Sequence, residues 1–141
     1  MSTFDDFDLN DKLLRGIYSY GFENPSDIQV KALPIINGKK DLIAQAQSGT
    51  GKTGAFTIGA LNLLDCDLKS TQVLILNPTY ELVNQNYDVT KALSQYMDVT
   101  IMKVVGKTSM EECKQELRKQ PQIIVGTPGR VLDMISKRFL Y

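Results

Sequence analysis

The feature that most constrains this chain is a loop of small and polar residues at 46–53, set between a short apolar run and a helix-like pattern. The order strand, small-residue loop, helix is the context that a phosphate-binding loop requires. Gly49 and Gly51 remove side chains where backbone N–H groups must converge on a phosphate. The helix start adds free N–H groups and a positive dipole end. The alternative is a Gly- and Ser-containing turn before an ordinary helix.

Lys52 and Thr53 close this loop and are the candidate catalytic residues. Lys52 supplies a point charge for the outer phosphates of a nucleotide. The Thr53 hydroxyl suits one ligand position of Mg²⁺, because Mg²⁺ favours oxygen ligands and shares them with phosphates. The general pattern has glycine at the first loop position, whereas this chain has Ala46.

Composition places the chain among soluble globular proteins of about one domain, with 141 residues, 43% hydrophobic and 23% charged. Lys and Arg total 16 and Asp and Glu total 16, so the net charge is zero. This balance argues against a nucleic-acid binder that uses its whole surface, but it allows a local basic patch. The basic excess lies at the C-terminal end, where residues 101–141 hold eight bases and four acids.

Several classes of site are excluded by residue content. The chain has no histidine, which excludes histidine-based nucleophile triads and histidine metal sites. Its two cysteines, Cys66 and Cys113, lack metal-ligand spacing, so we expect them to be reduced, in a cytoplasmic or nuclear protein. No stretch approaches the roughly 18 apolar residues of a membrane span, and residues 1–11 lack the apolar core of a signal peptide.

Apolar patterns predict strands that alternate with helices, which indicates an α/β fold with a mainly parallel sheet. Strands are expected at 42–44, 73–76, 99–105 and 123–125, and the run at 73–76 reads as a strand covered on both faces. Helices are expected to end at Gly21, to begin after Ser26 and bend or end near Pro34, and to cover 81–93 and 110–119. A last helix follows Thr127.

An amide side chain and two aromatic rings before the loop have the chemistry needed to recognise adenine. Gln29 carries an amide whose acceptor and donors fit the N6 and N7 edge of adenine, although such a residue is commonly a surface glutamine. Phe22 and Phe4 offer rings that could stack on a base or pack in the core.

Two later segments follow strand ends, where ligands of parallel sheets bind. Residues 78–82 form a turn into a helix, which can hold a phosphate or be an ordinary loop. Thr127 and Arg130 flank an open helix start, and together these groups would grip a nucleic-acid backbone. The alternative is an ordinary helix cap.

Together these segments resemble the N-terminal part of the DEAD-box ATP-dependent RNA helicases, in particular the branch of translation initiation factor 4A. Residues 21–29 match the Q motif, which would extend over about 4–29 with Phe4 as its upstream aromatic residue. Residues 46–53 match the phosphate loop, which begins with alanine in that family. Residues 78–82 resemble the P-T-R-E-L motif, 106–107 the paired-glycine motif and 127–130 the T-P-G-R motif.

The resemblance implies a RecA-like fold that binds ATP, Mg²⁺ and single-stranded RNA or a short RNA duplex, with translation or RNA-processing factors as partners and no membrane. The implied ATP-binding residues are Phe22, Gln29, Ala46, Gln47, Ser48, Gly49, Thr50, Gly51, Lys52 and Thr53. The implied RNA-binding residues are Pro78, Thr79, Tyr80, Gly106, Thr127, Pro128, Gly129 and Arg130.

Two residues depart from the family pattern, and some family motifs are not found within residues 1–141. Both observations limit the function that the resemblance implies. Tyr80 replaces arginine and Lys107 replaces the second glycine, so weaker RNA binding is expected. In the family, the D-E-A-D and S-A-T motifs and the second RecA-like domain follow the segment that corresponds to residues 1–141. The chain is therefore expected to be an N-terminal piece, incomplete at its C-terminal end, and unable to hydrolyse ATP alone, because the acid that holds Mg²⁺ and the arginine finger are missing.

Two other hypotheses stay open. The chain could be a truncated, non-catalytic module that binds nucleotide, RNA or a helicase partner. The chain could also be a small P-loop kinase, but that hypothesis would not explain the Q-motif match or residues 127–130.

Overall fold

The computed structural model describes residues 3–22, 24–43 and 52–138, with Lys52 and Thr53 described as backbone only. A 3₁₀ turn at Phe4–Asp6 precedes the regular elements. The helices are α1 (Asp11–Tyr20), α2 (Asp27–Asn37), α3 (Lys52–Leu63), α4 (Tyr80–Leu93), α5 (Met110–Arg118) and α6 (Pro128–Ser136). The strands are β1 (Val73–Leu76), β2 (Ile101–Val104) and β3 (Ile123–Gly126).

The predicted first strand is not seen at residues 42–43, and its remaining residue, Ala44, lies outside the described residues. The other three predicted strands are confirmed to within two residues at either end. No helix in the described part of the chain has the length and apolarity needed to cross a membrane.

The chain forms two compact units, residues 1–64 with 92–97 and residues 65–91 with 98–141. In the first unit, α1 begins at Asn10, whose side chain accepts hydrogen bonds from the backbone N–H groups of Lys12 and Leu13. The helix ends at Gly21, which has a φ of 108°. Glycine adopts this left-handed backbone without steric cost, so the predicted helix end is confirmed at the expected residue.

Helix α2 begins with a reciprocal cap. The Ser26 hydroxyl accepts from the Gln29 N–H at 3.4 Å, and the Gln29 Oε1 accepts from the Ser26 N–H at 3.0 Å. Of the two predicted outcomes near Pro34, the helix end is wrong, since α2 continues to Asn37. Proline removes one backbone donor, but burial of Leu33 and the bond from Gly38 N–H to the Pro34 carbonyl at 3.0 Å support the last turn.

The core of the first unit lies where α2 packs against α3. Asn62 of α3 also joins three segments, since its amide donates to the Asp8 carbonyl at 2.9 Å and to Asn37 Oδ1 at 3.0 Å and accepts from the Asn10 N–H at 2.8 Å. The fully buried apolar side chains are Phe4, Leu13, Ile17, Leu33, Ala55, Ile58 and Leu93.

The second unit is built on a parallel three-stranded sheet in the order β1-β3-β2. The central strand β3 is buried throughout, as its run of β-branched residues predicts. The strand β1 is not covered on both faces, because Leu74 and Leu76 are 44% and 50% exposed. That prediction is wrong because alternate residues of the strand face solvent in the described structure.

The core of this unit lies between the sheet, α5 and α6, and it contains Met102, Val104, Cys113, Leu117, Ile124, Val131 and Met134. Cys66 and Cys113 are both free thiols, as predicted. Burial raises the pKa of Cys113 above its usual range, so its thiol stays neutral and unreactive at neutral pH.

The carboxyl ends of the three strands lie on one rung of the sheet. Leu76 pairs with Gly126, and Gly126 pairs with Val104. The next residues continue the ladder, because Asn77 N–H donates to the Gly126 carbonyl at 3.0 Å and Thr127 N–H donates to the Val104 carbonyl at 3.1 Å. The segments predicted to bind nucleic acid therefore leave the sheet side by side.

Candidate nucleotide and nucleic-acid sites

Gln29 is buried in the first turn of α2, with 2% of its surface exposed. The alternative of a surface glutamine is therefore wrong. Its Oε1 is held by the Ser26 N–H, which fixes the amide plane. A buried amide with a fixed orientation can discriminate between bases, because a wrong edge leaves its donor or acceptor unsatisfied.

Phe22 and Gln29 converge on Gly54, the residue that directly follows Thr53 in α3. A Cβ at Gly54 would lie 2.8 Å from Gln29 Nε2 and 3.3 Å from Phe22 Cε2. Only glycine admits this close approach. The two predicted adenine-binding side chains are therefore together, beside the first turn of the helix that follows the phosphate loop.

The importance of Gly54 was missed by the sequence reasoning, although a signal was available. Glycine inside a helix costs about 1 kcal/mol relative to alanine. A glycine in the first turn of α3 therefore indicated that something packs closely there.

Aromatic rings hold Phe22 from two sides. Phe4 is fully buried and lies stacked with Phe22, with 6.3 Å between ring centroids, and Tyr20 meets Phe22 edge-on at 4.8 Å. Phe4 is thus a core residue that also contacts the candidate base-stacking ring. Tyr20 is a further neighbour that sequence reasoning missed. Tyr18 packs edge-on against Phe4, and partial burial, followed by the charge of Asp5, raises its pKa.

The phosphate loop itself lies largely outside the described residues. Lys52 and Thr53 form the first positions of α3, but their side chains are not described, and residues 46–51 are not described at all. The roles of Lys52 and Thr53 stay predictions. Within the described ranges, no group of three or more His, Cys, Asp or Glu side chains could hold a metal ion.

In the second unit, the segment after β1 is exposed where it enters α4. Pro78, Thr79 and Tyr80 are all on the surface. The Thr79 hydroxyl accepts from the Leu82 N–H at 3.2 Å and caps the helix. Asn77 Oδ1 is buried and has no hydrogen-bond donor among the described residues.

Tyr80 and Lys107, the two departures from the expected pattern, contact each other. The Lys107 Nζ lies 4.2 Å from the centroid of the Tyr80 ring, within the range of a cation–π interaction. The two residues are therefore neighbours, and a change at one alters the surroundings of the other. No motif or periodicity in the sequence indicates this direct contact.

Arg130 joins the other two predicted nucleic-acid segments. One guanidinium nitrogen donates to the Gly106 carbonyl at 3.0 Å, and another contacts the Met110 sulfur. Arg130 is half-buried, whereas Gly106, Pro128 and Gly129 are exposed. Thr127 occupies the cap position of α6, but its side chain makes no cap hydrogen bond.

Comparison with known proteins decides the family. The profile of the DEAD/DEAH box helicases matches residues 26–140, which is most of the chain. This chain belongs to the DEAD/DEAH box helicase family. The resemblance to the DEAD-box helicases is thereby confirmed, whereas the placing of the individual motifs stays a prediction.

Relatives within the family are similar over nearly the whole chain. The ATP-dependent RNA helicase eIF4A of Kluyveromyces lactis is 56% identical over 137 residues, which is 96% of this chain and 34% of that protein. The ATP-dependent RNA helicase FAL1 of Saccharomyces cerevisiae is 53% identical over 140 residues, which is 99% of this chain and 35% of FAL1. The chain thus spans about a third of the length of these helicases.

Solved structures of the family have the same fold. Saccharomyces cerevisiae Dbp5 bound to RNA and ADP BeF3 superposes with a TM-score of 0.90 at 34% identity, covering 100% of this chain and 36% of Dbp5. A DEAD box protein from Methanococcus jannaschii also superposes with a TM-score of 0.90, at 33% identity, covering 99% of this chain and 38% of that protein. The predicted RecA-like α/β class is confirmed.

Proposed function

We propose that this chain provides ATP binding and part of the RNA-binding surface of an ATP-dependent RNA helicase that unwinds RNA duplexes. The observation that carries the proposal is the convergence of buried Gln29 and Phe22 on Gly54, next to the phosphate loop. Residues 1–141 would form the first part of a RecA-like ATP-binding domain, with the Q motif at about 4–29 and the phosphate loop at 46–53. The 34–35% coverage of eIF4A and FAL1 supports this assignment.

The residues present fit a bound adenine nucleotide. Gln29 would read the N6 and N7 edge of adenine with its amide, and Phe22 would stack on the ring. The backbone of residues 46–51 and the side chain of Lys52 would hold the triphosphate. Thr53 would contribute a hydroxyl to Mg²⁺, which neutralises phosphate charge when bound.

Single-stranded RNA would lie across the segments that leave the sheet side by side. Pro78, Thr79, Gly106 and residues 127–129 would offer backbone groups to its phosphates and sugars. Arg130 would act as a positioning residue, since it holds the Gly106 carbonyl. A cytoplasmic or nuclear location fits the free thiols of Cys66 and Cys113, with translation or RNA-processing factors as partners.

Replacing Gln29 by alanine is expected to remove the preference for ATP over GTP. Loss of a two-point base contact should cost on the order of 1–3 kcal/mol of discrimination, because the amide no longer matches the adenine edge. Titration of the chain with fluorescent ATP and GTP analogues measures the two dissociation constants. Lys52→Ala should weaken both nucleotides together, since it removes a phosphate contact and leaves base reading intact. Equal affinities for ATP and GTP before the Gln29 change would contradict the role.

The double variant Tyr80→Arg with Lys107→Gly is expected to bind single-stranded RNA about threefold to tenfold more tightly, since it restores a two-pronged donor and an open backbone. Tyr80→Arg alone should gain less, because the new arginine would face the Lys107 ammonium that now lies 4.2 Å from the ring. Fluorescence anisotropy with an RNA oligomer and an ATP analogue checks both variants.

The net charge of the double variant is unchanged, so its salt dependence should barely move, because that slope counts neutralised phosphates. The explanation is wrong if the double variant binds no better than the original chain, or if its advantage vanishes at raised salt.

A further inference from the structure

One face of α4 carries a row of aromatic, amide and basic side chains. Tyr80, Asn84, Tyr87 and Lys91 follow one another at four, three and four residues, which is the spacing of a single helical face. Two lysines from β2 and the turn after it reach this face. We call the set the Tyr–Lys stripe, and it consists of Tyr80, Asn84, Tyr87, Lys91, Lys103 and Lys107.

The lysines of the stripe are positioned by its rings. Lys107 Nζ lies 4.2 Å from the Tyr80 centroid, and Lys103 Nζ lies 4.8 Å from the Tyr87 centroid and 3.0 Å from Asn84 Oδ1. Lys91 Nζ lies on the same Tyr87 ring at 5.7 Å. All three distances fall within the range of cation–π attraction.

The contacts of Lys103 and Lys107 orient their ammonium groups without pairing them with an acid, because aromatic rings and an amide oxygen carry no net charge. Glu81 and Asp88 are exposed acids on α4 next to it in sequence. The three lysines outnumber them.

We propose that the part of the Tyr–Lys stripe beyond Tyr80 and Lys107, which is formed by Asn84, Tyr87, Lys91 and Lys103, binds the phosphates of single-stranded RNA that extends from the segment at residues 78–80. The inference rests on the proposed function, since the stripe begins at Tyr80 and would continue the RNA path from there. The eleven helical steps from Tyr80 to Lys91 cover about 16 Å, which corresponds to about five stacked nucleotides at roughly 3.4 Å each. Rings interleaved with cations suit single strands, because the rings hold the ammonium groups where successive phosphates can meet them.

The test compares a short oligouridine of about six nucleotides with one of about twelve nucleotides, because only the longer strand can occupy both the strand-end segments and the stripe. Lys103→Gln should weaken binding of the longer RNA about threefold to tenfold and reduce its salt slope by about 0.7, the value for one phosphate contact on a single strand. Binding of the short RNA should change less than about twofold. Anisotropy titrations of the 141-residue chain at several salt concentrations measure the affinity and the salt slope for each of the two RNAs.

Lys119→Gln is the control for net charge, since it removes one positive charge at the C-cap of α5, outside the stripe, where Lys119 pairs with Glu116 at 3.1 Å. It should leave both RNAs unaffected. Tyr87→Leu, which removes the ring and keeps every charge, should weaken only the longer RNA.

The outcomes distinguish a failure of the proposed RNA site at the strand ends from a failure of the stripe. If the short RNA fails to bind, the proposed RNA site at the strand ends is wrong. If the longer RNA binds no more tightly than the short one, or if Lys103→Gln and Lys119→Gln behave alike, the stripe is not an RNA site. Binding of a polyglutamate peptide that Lys103→Gln abolishes, with RNA binding unchanged, would assign the stripe to an acidic protein segment and overturn the inference.

Discussion

Replacing Gly54 by alanine is expected to weaken ATP binding about tenfold, or about 1.4 kcal/mol, while the chain remains folded. The new methyl group would lie 2.8 Å from Gln29 Nε2 and 3.3 Å from the Phe22 ring. Both neighbours are side chains, so they can move aside without breaking the backbone. Moving them displaces the two groups that we assign to adenine, and a displacement of this kind is costly for recognition that depends on fixed geometry.

The measurement is a pair of nucleotide titrations together with a thermal melt. ATP affinity should fall more than GTP affinity, since GTP gains little from the Gln29 amide. Gly129→Ala is the matched control, because a Cβ at Gly129 meets nothing within 4 Å. If Gly54→Ala binds ATP as well as the unchanged chain does, Gln29 and Phe22 do not form the adenine site.

Replacing Gly16 by alanine is expected to destabilise the chain by about 2–4 kcal/mol, at the upper end of overpacking effects. A Cβ at Gly16 would lie 2.0 Å from the carbonyl oxygen of Leu93 and 2.9 Å from its carbonyl carbon. Leu93 is fully buried, so this backbone has nowhere to shift. The gain in helix propensity, about 1 kcal/mol, is too small to offset the clash.

The expected result is a fall in Tm of about 10 °C, given the size dependence of thermal unfolding. Gly59→Ala offers an informative comparison, since the three atoms nearest to its Cβ would all belong to the Ile36 side chain, with 2.5 Å to Cγ2. Ile36 can change rotamer, so Gly59→Ala should cost less than Gly16→Ala. Equal losses for the two variants would show that the backbone contact at Leu93 is softer than the structure indicates.

The predictions from sequence that proved right depend on local backbone chemistry. Gly21 ends α1, Ser26 begins α2 and Ser109 begins α5 by accepting from the Glu112 N–H. Each of these helix ends is determined by a few consecutive residues, because a capping side chain or a left-handed glycine affects only the adjoining turn of the helix. The apolar runs that became β1 and β3 are equally local signals.

The predictions that failed required knowledge of tertiary contacts. The continuation of α2 through Pro34 depends on burial of its neighbours, and exposure of Leu74 and Leu76 depends on what covers β1. Burial of Gln29 could not be read from an amide in a helical pattern. The contact between Tyr80 and Lys107 joins residues 27 positions apart (107 − 80), and no sequence periodicity reports such a pairing.

The common rung of Leu76, Val104 and Gly126 also bears on how such a protein can diverge. The starting point of each segment that we propose to bind RNA is set by sheet hydrogen bonds rather than by the residues of the segment itself. Substitutions such as Tyr80 and Lys107 can therefore accumulate in the segments while their anchor points stay fixed. Adding or deleting one residue inside a strand would instead turn its side chains to the opposite face. Point substitutions in these segments can thus change what a segment contacts without moving its starting point, whereas a change in strand length moves the starting point itself.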